Sequence, residues 1–445
     1  MENAAAYIPE DRRRSLAGNV ALPEQTTGAA LFADISGFTP LTDALVREFG
    51  ARRGAEQLTR HLNAVYSALI AQVHAYGGSV IGFSGDGIVC WFSAEAAQAT
   101  LRATASALAM QQAMQPFYTL QLSATTTVNL AIKTAVAAGP TRRMIVGDPN
   151  IQLIDVLAGA TVDRMAASEQ MAQKHEVLLD AQTIALVADQ LTLRAWRIHA
   201  ASGYRVGVVE SLRAPVPPLA QTVIQAEPSP AQVRPWVLPA IYTRVQNDQG
   251  RFLAELRPAT ALFLKFSGLD FEADTGAAEK LNAFITWVQR VINRYEGTLI
   301  QLTTGDKGSY LYAAFGAPVA HDDDSCRAVA AALELRTQPP ALNFVTSLQT
   351  GLSQGMMRVG AYGSPLRLTY GVLGEETAIA ARLMTHATPG QILVTQVVAE
   401  AVTEDFQVTE LGLVQLKGRT EPQLLFVVNG RKAGERLKSM LKVVG

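Results

Sequence analysis

The first strong pattern in the chain is a short apolar run that stops at an acid. Residues 29–33 are all apolar, Asp34 follows, and residues 35–39 read ISGFT before apolar positions recur at helical spacing. This order predicts a strand, an acid at its tip, a tight glycine turn and a helix. Backbone N–H groups in such a turn can cradle phosphate oxygens. The adjacent carboxylate can hold a hard cation.

A second acid lies in a turn between two apolar segments. Residues 77–92 read as two strands joined by the turn 84–87, which carries Asp86. The helix before them has an apolar face made of Leu58, Leu62, Val65, Tyr66, Leu69, Ile70 and Val73. A right-handed strand–helix–strand crossover predicts that the first two strands lie side by side. We therefore expect Asp34 and Asp86 to lie close together at one edge of the sheet.

The second half of the chain repeats this pattern. Residues 261–269 parallel the first apolar run, residues 297–308 parallel the Gly-Asp hairpin, and residues 374–382 parallel the helix start at Gly159. A repeat of this length indicates duplicated domains. The copies are unequal, because Lys265 stands where the first domain has its first acid. The second domain is therefore not expected to hold the same cations.

Prolines are concentrated between the two repeats. Because proline opposes strand pairing and stiffens the chain, residues 213–250 are predicted to be an interdomain linker. The sequence then divides into a leader over 1–24, a first domain over 25–212 and a second domain over 251–430. The basic tail over 431–445 is interpreted as the start of a region beyond this chain.

Composition narrows the class of protein. With 38 basic and 39 acidic residues in 445, the chain lacks the basic excess typical of nucleic-acid binding. No run of about 18 apolar residues is present, so no membrane span is predicted. Arg12, Arg13 and Arg14 have no apolar run behind them, so they are interpreted as a solvated, mobile end rather than a secretory signal. Cys90 and Cys326 are expected to be reduced thiols of a soluble, cytoplasmic protein.

Two motifs carry a family resemblance. FADISGFT at 32–39 and GGSVIGFSGDGIVCWF at 77–92 resemble the metal-binding half of class III adenylyl and guanylyl cyclases. The tandem, unequal domains resemble the soluble, bicarbonate-type adenylyl cyclases. This implies an α+β fold of two ferredoxin-like (βαββαβ) domains, packed as a pseudo-symmetric head-to-tail pair within a monomer. The alternative is a ferredoxin-like sheet whose acids are only turn and cap residues.

The resemblance also implies one active site between the domains, with two Mg²⁺ or Mn²⁺ ions. Asp34 and Asp86 would be the catalytic acids, binding metal together with Ile35, and Arg382 would answer the charge of the transition state. The alternative for Arg382 is an ordinary ion pair on the surface of its helix. The nucleotide-binding residues implied by the family pattern are Ile35, Ser36, Gly37, Phe38, Thr39, Gln301, Lys417 and Arg419.

Several positions depart from the family pattern. Ala378 falls where the family has the asparagine that orients the ribose, and Gln301 and Gly371 fall at the base-recognition pair. Loss of one preorganised donor lowers a rate by about a hundredfold or more. Gly82 and Ala166 fall at the lysine and arginine associated with bicarbonate, so activation by bicarbonate is not predicted.

Two functions follow from these residues. The first is a nucleotidyl cyclase that converts ATP to 3′,5′-cyclic AMP and pyrophosphate; GTP stays open as a substrate because Gln301 and Gly371 match neither usual base code. The second is a catalytically degenerate module that binds nucleotide or regulates an attached effector. A polymerase-like phosphoryl transferase is a third reading, which the head-to-tail duplication opposes.

Overall fold

The fold consists of two sheet-and-helix domains in tandem. The computed structural model describes residues 3–123, 125–219, 227–247, 255–305, 308–416 and 421–432. Within these ranges each half of the chain forms one large mixed sheet with helices packed on it. The predicted pair of α+β domains is confirmed. No helix among the described residues is long and apolar enough to cross a membrane.

The first half contains an N-terminal segment and the first sheet. Its elements are a 3₁₀ helix Ala4–Tyr7, α1 Glu10–Gly18, β1 Gln25–Ser36, α2 Phe38–Ala75, β2 Ser79–Ser84, β3 Gly87–Ser93, α3 Ala96–Ala113, a 3₁₀ helix Gln115–Phe117, β4 Leu120–Gln121, β5 Thr127–Val128, β6 Ala131–Val146, β7 Ile154–Ala158, α4 Ala160–Met171, β8 Val177–Asp180, α5 Ala181–Ala185, a 3₁₀ helix Ala188–Gln190, β9 Leu191–Ile198 and β10 Arg205–Leu212. The strand order is β2-β3-β1-β6-β8-β10-β9, with β7 paired to β6.

The second half repeats this order. Its elements are α6 Pro230–Val233, a 3₁₀ helix Arg234–Trp236, α7 Pro239–Gln246, β11 Glu255–Ser267, α8 Ala277–Arg294, β12 Thr298–Thr303, β13 Ser309–Phe315, α9 Asp324–Arg336, a 3₁₀ helix Pro340–Leu342, β14 Ser347–Ser364, β15 Arg367–Leu373, α10 Glu375–His386, β16 Ile392–Thr395, α11 Gln396–Val402, β17 Phe406–Val414 and β18 Gln423–Arg431. The strand order β12-β13-β11-β14-β16-β18-β17, with β15 on β14, matches the first sheet strand for strand.

One expected neighbour relation is wrong. The strands β1 and β2 do not lie side by side, because β3 folds back through the turn 84–87 and pairs antiparallel with both. This hairpin occupies the position next to β1 that the crossover alone would give to β2. The acids are still brought together, since Asp34 lies directly opposite Gly87, the neighbour of Asp86.

Equivalent glycines allow the chain to turn after the first strand of each domain. Gly37 has φ 109° and Gly268 has φ 111°, a region that only glycine occupies readily. A Cβ at Gly37 would lie 2.4 Å from the carbonyl oxygen of Asn129, and one at Gly268 would lie 2.0 Å from that of Phe344. Both turns are therefore restricted to glycine by backbone conformation and by space.

The two domains pack reciprocally. On α2 of the first domain, Asn63 Oδ1 accepts the N–H of Gly363, 3.1 Å away, at the end of β14. On α8 of the second domain, Asn282 Oδ1 accepts the N–H of Gly147, 2.9 Å away, next to the end of β6. Each domain thus offers its long helix to the other domain's sheet. This exchange is the pseudo-symmetric, head-to-tail pairing that the resemblance implied.

The N-terminal segment corrects another expectation. Arg12 and Arg13 are 4% and 6% exposed, so they are not a solvated end. The Arg12 Nε donates to Asp155 Oδ2 at 3.0 Å, and Arg143 binds both Asp155 and Asp11. Arg14 alone of the triplet has a largely open side chain, at 47%. Arg12 thus joins α1 to the first domain, while Arg13 pairs with Glu227 of the linker.

This segment also contacts the described part of the linker and the second domain. Ile8 is fully buried with Trp236 and Ile241 of the linker helices, beside the face of the second sheet. The carbonyl oxygen of Tyr7 accepts from Arg367 Nη1 at 2.7 Å. The same guanidinium donates to the carbonyls of Val80 and Ile81 on β2. The start of the chain is therefore built into the domain interface.

Candidate functional site

The two predicted acids share one site in the first domain. Asp34 is near the end of β1 and Asp86 is half-buried in the turn between β2 and β3. Burial, and secondly the charge of Asp34, raise the pKa of Asp86 to about 7. The strand register agrees with this proximity, since Asp34 lies opposite Gly87, the neighbour of Asp86. Two neighbouring carboxylates offer the oxygen ligands that Mg²⁺ and Mn²⁺ prefer.

A lysine that sequence reasoning missed lies beside these acids. Lys133 is opposite Asp34 in the β1–β6 register, and its Nζ is 3.4 Å from Asp34 Oδ2 and 2.5 Å from Glu169 Oε1. Burial acts to lower the pKa of Lys133, but Glu169 and Asp34 outweigh it and raise the pKa overall. Only the strand register could have revealed this neighbour, because 99 residues of sequence separate it from Asp34.

The turn after β1 faces the same site. Ile35 and Ser36 end the strand, Gly37 makes the turn, and Phe38 and Thr39 begin α2. The helix start presents backbone N–H groups that are not used within the helix. Phe38 and Thr39 line the large cavity described next. This segment has the geometry of a phosphate cradle beside the acids.

A cavity of about 530 Å³ lies between the domains at this point. From the first domain it is lined by residues that include Phe38, Thr39 and Asp86. From the second domain it takes Gln301, Gly371 and Ala378, which stand at the family's base- and ribose-recognition positions. The cavity therefore joins Asp86 of the first domain to the predicted recognition positions of the second domain, while Asp34 and Arg382 are not among its lining residues.

Gln301 is already engaged in this arrangement. Its Nε2 donates to Ser84 Oγ at 3.1 Å and to Thr303 Oγ1 at 2.6 Å. Its Oε1 accepts the backbone N–H of Gly85 at 3.4 Å. The amide was expected to read a purine edge, but its described partners are in the acid-bearing turn and in its own strand.

Gly371 is covered by an aromatic ring. A Cβ at Gly371 would lie 2.6 Å from Cε1 of Tyr362. Tyr362 itself packs against Tyr66 and Phe83 of the first domain, with ring centroids 5.4 and 5.5 Å apart. The ring of Tyr362 thus fills the space that a side chain at position 371 would occupy. No local sequence signal indicated this contact.

A buried cation lies next to that ring. Arg358 is 1% exposed and lines the cavity, and its guanidinium is 5.5 Å from the ring centroid of Tyr362. Its Nε donates to Thr59 Oγ1 on α2 at 3.1 Å, and its other bonds go to backbone carbonyls. Burial lowers the pKa of Arg358 to about 10. The sequence analysis did not single out this residue.

The remaining predicted residues have mixed placements. Arg382 is half-buried on α10, one turn after Ala378, and makes no ion pair with the described residues. It is not among the residues that line the cavity. Glu376 on the same helix does line it; Ser353 donates a hydrogen bond to this carboxylate, and burial raises the pKa of Glu376. Lys417 and Arg419 lie outside the described residues.

A second cavity occupies the pseudo-symmetric position. It measures about 140 Å³, and Gly82 and Ala166 both line it, so neither position supplies a basic side chain there. Its walls include Phe32, Leu157 and Met165. The counterpart of the first acid is Lys265, and the counterpart of the second, Asp306, lies outside the described residues. The two sites of the pair are unequal in size and lining.

Comparisons with known proteins agree with this geometry. The family described as adenylate and guanylate cyclase catalytic domain matches residues 265–430. Adenylate cyclase type 10 of Rattus norvegicus is 24% identical over 391 residues, covering 81% of this chain, and the Homo sapiens protein is 24% identical over 389 residues. The chain is therefore similar to adenylate cyclases over most of its length.

The similarity covers most of this chain but only part of the relatives. The chain spans about a quarter (24%) of the length of these adenylate cyclases. A solved structure, a class III adenylyl cyclase-like ATP-binding protein from Pseudomonas aeruginosa, covers 85% of both chains with a TM-score of 0.57 at 11% identity. That likeness extends over both domains and shows that the tandem cyclase fold is shared. Class III cyclases are metal-dependent as a family, which agrees with the carboxylate pair.

Proposed function

We propose that this chain is a nucleotidyl cyclase that converts ATP to 3′,5′-cyclic AMP and pyrophosphate at its interdomain cavity. The observation that carries the proposal is the position of Asp86, coupled to Asp34, at a cavity whose opposite wall comes from the second domain. A site that takes its acids from one domain and its other wall from the second suits a triphosphate held between them.

The acids fit the divalent cations that the family requires. Asp34, Asp86 and the backbone carbonyl of Ile35 would hold one or two Mg²⁺ or Mn²⁺ ions, which supply Lewis acidity at the ribose 3′-hydroxyl and at the leaving phosphates. Among the described residues no group of three or more His, Cys, Asp and Glu side chains forms a complete metal site. The phosphate oxygens would therefore complete the coordination shell.

The chain's own residues would bind and orient the triphosphate. The N–H groups at the start of α2 would donate to phosphate oxygens. The ammonium of Lys133, which the structure holds beside Asp34, would add positive charge at the same end. Arg382, one turn along α10 from the cavity wall, would reach the α-phosphate by extending its side chain, and would stabilise the negative charge that gathers there.

A second function is favoured by specific observations at the base end of the cavity. Gln301 is engaged with the turn at Gly85, Gly371 is covered by Tyr362, and Ala378 cannot hydrogen-bond the ribose. Loss of two such contacts would slow turnover by about ten-thousandfold if each counts a hundredfold. The alternative is therefore a module that binds ATP without converting it.

One experiment separates these functions. Purified chain with Mn²⁺ and ATP should release pyrophosphate and cyclic AMP, and Asp34→Asn should abolish both products. Asp189→Asn, which changes an exposed acid of the same domain, is the matched control and should behave as wild type. Calorimetric ATP binding without product would favour the second function, and equal background in all three proteins would reject the cyclase. Parallel assays with GTP test the base preference.

A further inference from the structure

Gln301 connects the second domain to the turn that carries Asp86. It lies on β12, yet two of its three side-chain hydrogen bonds to described residues cross the domain interface, to Ser84 Oγ and from the N–H of Gly85. We infer that Gln301 is a positioning residue for Asp86, and that it does not read the nucleobase. This inference rests on the proposed function, since it assigns a role within the same site.

The tip of the turn, at Gly85, has little packing of its own, although Gly87 at the end of the turn lies against Phe32. Gly85 has φ 59°, and a Cβ built there would meet nothing within 4 Å. Residue 85 can thus adopt many backbone conformations at low cost. The bonds from Gln301 to Ser84 and Gly85 restrain this tip, where side-chain packing is absent at residue 85.

Repulsion between the two acids would push the turn away from β1, and the bonds from Gln301 oppose that movement. Two carboxylates that share a site repel each other when both are ionised, and Asp34 lies directly opposite Gly87, the neighbour of Asp86. Without a tether, the turn would relieve this repulsion by moving away from β1. Gln301 holds the turn from the other domain, so Asp86 stays at the wall of the interdomain cavity, beside the strand that carries Asp34.

The amide has no proton left for a purine. One Nε2 proton goes to Ser84 and the other to Thr303, and the Thr303 bond, at 2.6 Å, fixes the orientation of the amide. A base edge could gain a donor from Gln301 only if one of these bonds broke. The position that reads the base in the family is thus used here to couple the placement of Asp86 to the pairing of the domains.

The test measures Mn²⁺ binding directly, by the electron paramagnetic resonance signal of free Mn²⁺ in the presence of ATP and the full chain. Gln301→Ala should weaken Mn²⁺ binding by about tenfold, the effect of losing two hydrogen bonds of ordinary net strength. Ser84→Ala should weaken it less, since it removes one of the same bonds. The double variant should be no weaker than Gln301→Ala, because the two changes remove a shared contact.

Two further variants keep the result interpretable. Gln301→Met preserves side-chain volume without hydrogen bonds and should reproduce the tenfold loss if Gln301→Ala folds poorly. Thr303→Val removes only the bond within the second domain, so a smaller loss is expected. Circular dichroism and thermal unfolding should show each variant folded.

Three outcomes would overturn the inference. They are unchanged Mn²⁺ binding in Gln301→Ala with an altered ratio of ATP to GTP affinity, additive losses in the double variant, and no Mn²⁺ binding by the wild type. Failure of the cyclase proposal looks different: wild type would bind Mn²⁺ and ATP but release no pyrophosphate. In that case the Mn²⁺ measurements would still decide the role of Gln301.

Discussion

Lys133 and Asp34 face each other on paired strands, with the lysine Nζ 3.4 Å from the Oδ2 of the acid. The end of the site that we propose binds metal therefore contains a fixed positive charge as well as two acids. A cation arriving without nucleotide must enter against this charge. A triphosphate, in contrast, would be attracted by it.

We expect Lys133→Gln to tighten Mn²⁺ binding by the nucleotide-free protein. One unit charge at about 4 Å in water-like surroundings is worth about 1 kcal/mol, which corresponds to roughly fivefold in affinity. The same change should weaken binding of the triphosphate. Titrations followed by the resonance of free Mn²⁺ measure the first effect and calorimetry the second. Lys174→Gln, at an exposed lysine of the same domain, is the control; equal Mn²⁺ affinity in both variants would contradict the prediction.

The raised pKa of Asp86 predicts a pH-dependent stability in the absence of metal. Its pKa is about 7 in the folded protein against 3.8 for an ordinary aspartate. Between these values the folded state binds the extra proton, so the free energy of unfolding falls as pH rises from about 4 to about 7. Asp86→Asn has no carboxyl to ionise, so its free energy of unfolding should not fall in this way. With chelator present, its melting temperature should exceed that of wild type by about 2–4 °C at pH 8.

The same variant should show no gain at pH 4, where the wild-type carboxyl is protonated in the folded state. Asp189→Asn should follow wild type at both pH values. A constant difference between Asp86→Asn and wild type across this range would mean that the titration of Asp86 is not the cause.

The buried ion pairs around Arg143 should be important for stability. The side chains of Arg143 and Asp155 are 3% and 2% exposed, and Arg12 shares the same carboxylate. Arg143→Met leaves buried acid without its main partner, so we expect a loss of about 3–5 kcal/mol in the free energy of unfolding. Arg290→Met breaks the ion pair of a 64% exposed arginine with Asp148, which should lower stability by about 1 kcal/mol or less. Denaturant titration compares the two, and similar losses would contradict the prediction.

The contact between Gly371 and Tyr362 predicts that a side chain cannot simply be restored at position 371. Gly371→Ala should destabilise the protein by about 1–3 kcal/mol, since its Cβ would press into the tyrosine ring. In Tyr362→Val the added methyl at 371 should have a much smaller effect. Gly82→Ala, where a Cβ meets nothing within 4 Å, is the matched control. Chemical denaturation measures all of these; a loss at 371 that persists without the tyrosine ring would point to another cause.

The sequence was informative where chemistry is local. The acids Asp34 and Asp86 each stand in a short motif of strand and glycine turn, and the duplicated pattern was enough to predict two domains. Asp34 and Asp86 were expected to lie close together, and they do, although β3 rather than β2 lies next to β1. The motif predicted the turn, while the strand order depended on how the hairpin folds back.

Other features could not be read from the chain because they depend on distant partners. Lys133 reaches Asp34 through strand register, and Arg358 reaches Thr59 on a helix of the other domain. Arg12 looked like a solvated cation, since nothing near it in sequence identifies Asp155 as its partner. Alternation along a strand tells which residues share a face, but not which side chain from another segment will fill the space above it.

The bonds of Arg367 have a practical consequence for laboratory work. This guanidinium joins the carbonyl of Tyr7 to those of Val80 and Ile81, three residues before the end of the strand that delivers the chain to Asp86. A truncation that removed Tyr7 would take one partner from the guanidinium that also bonds β2. Preparations meant for kinetic work should therefore keep Tyr7 and the helix that follows it.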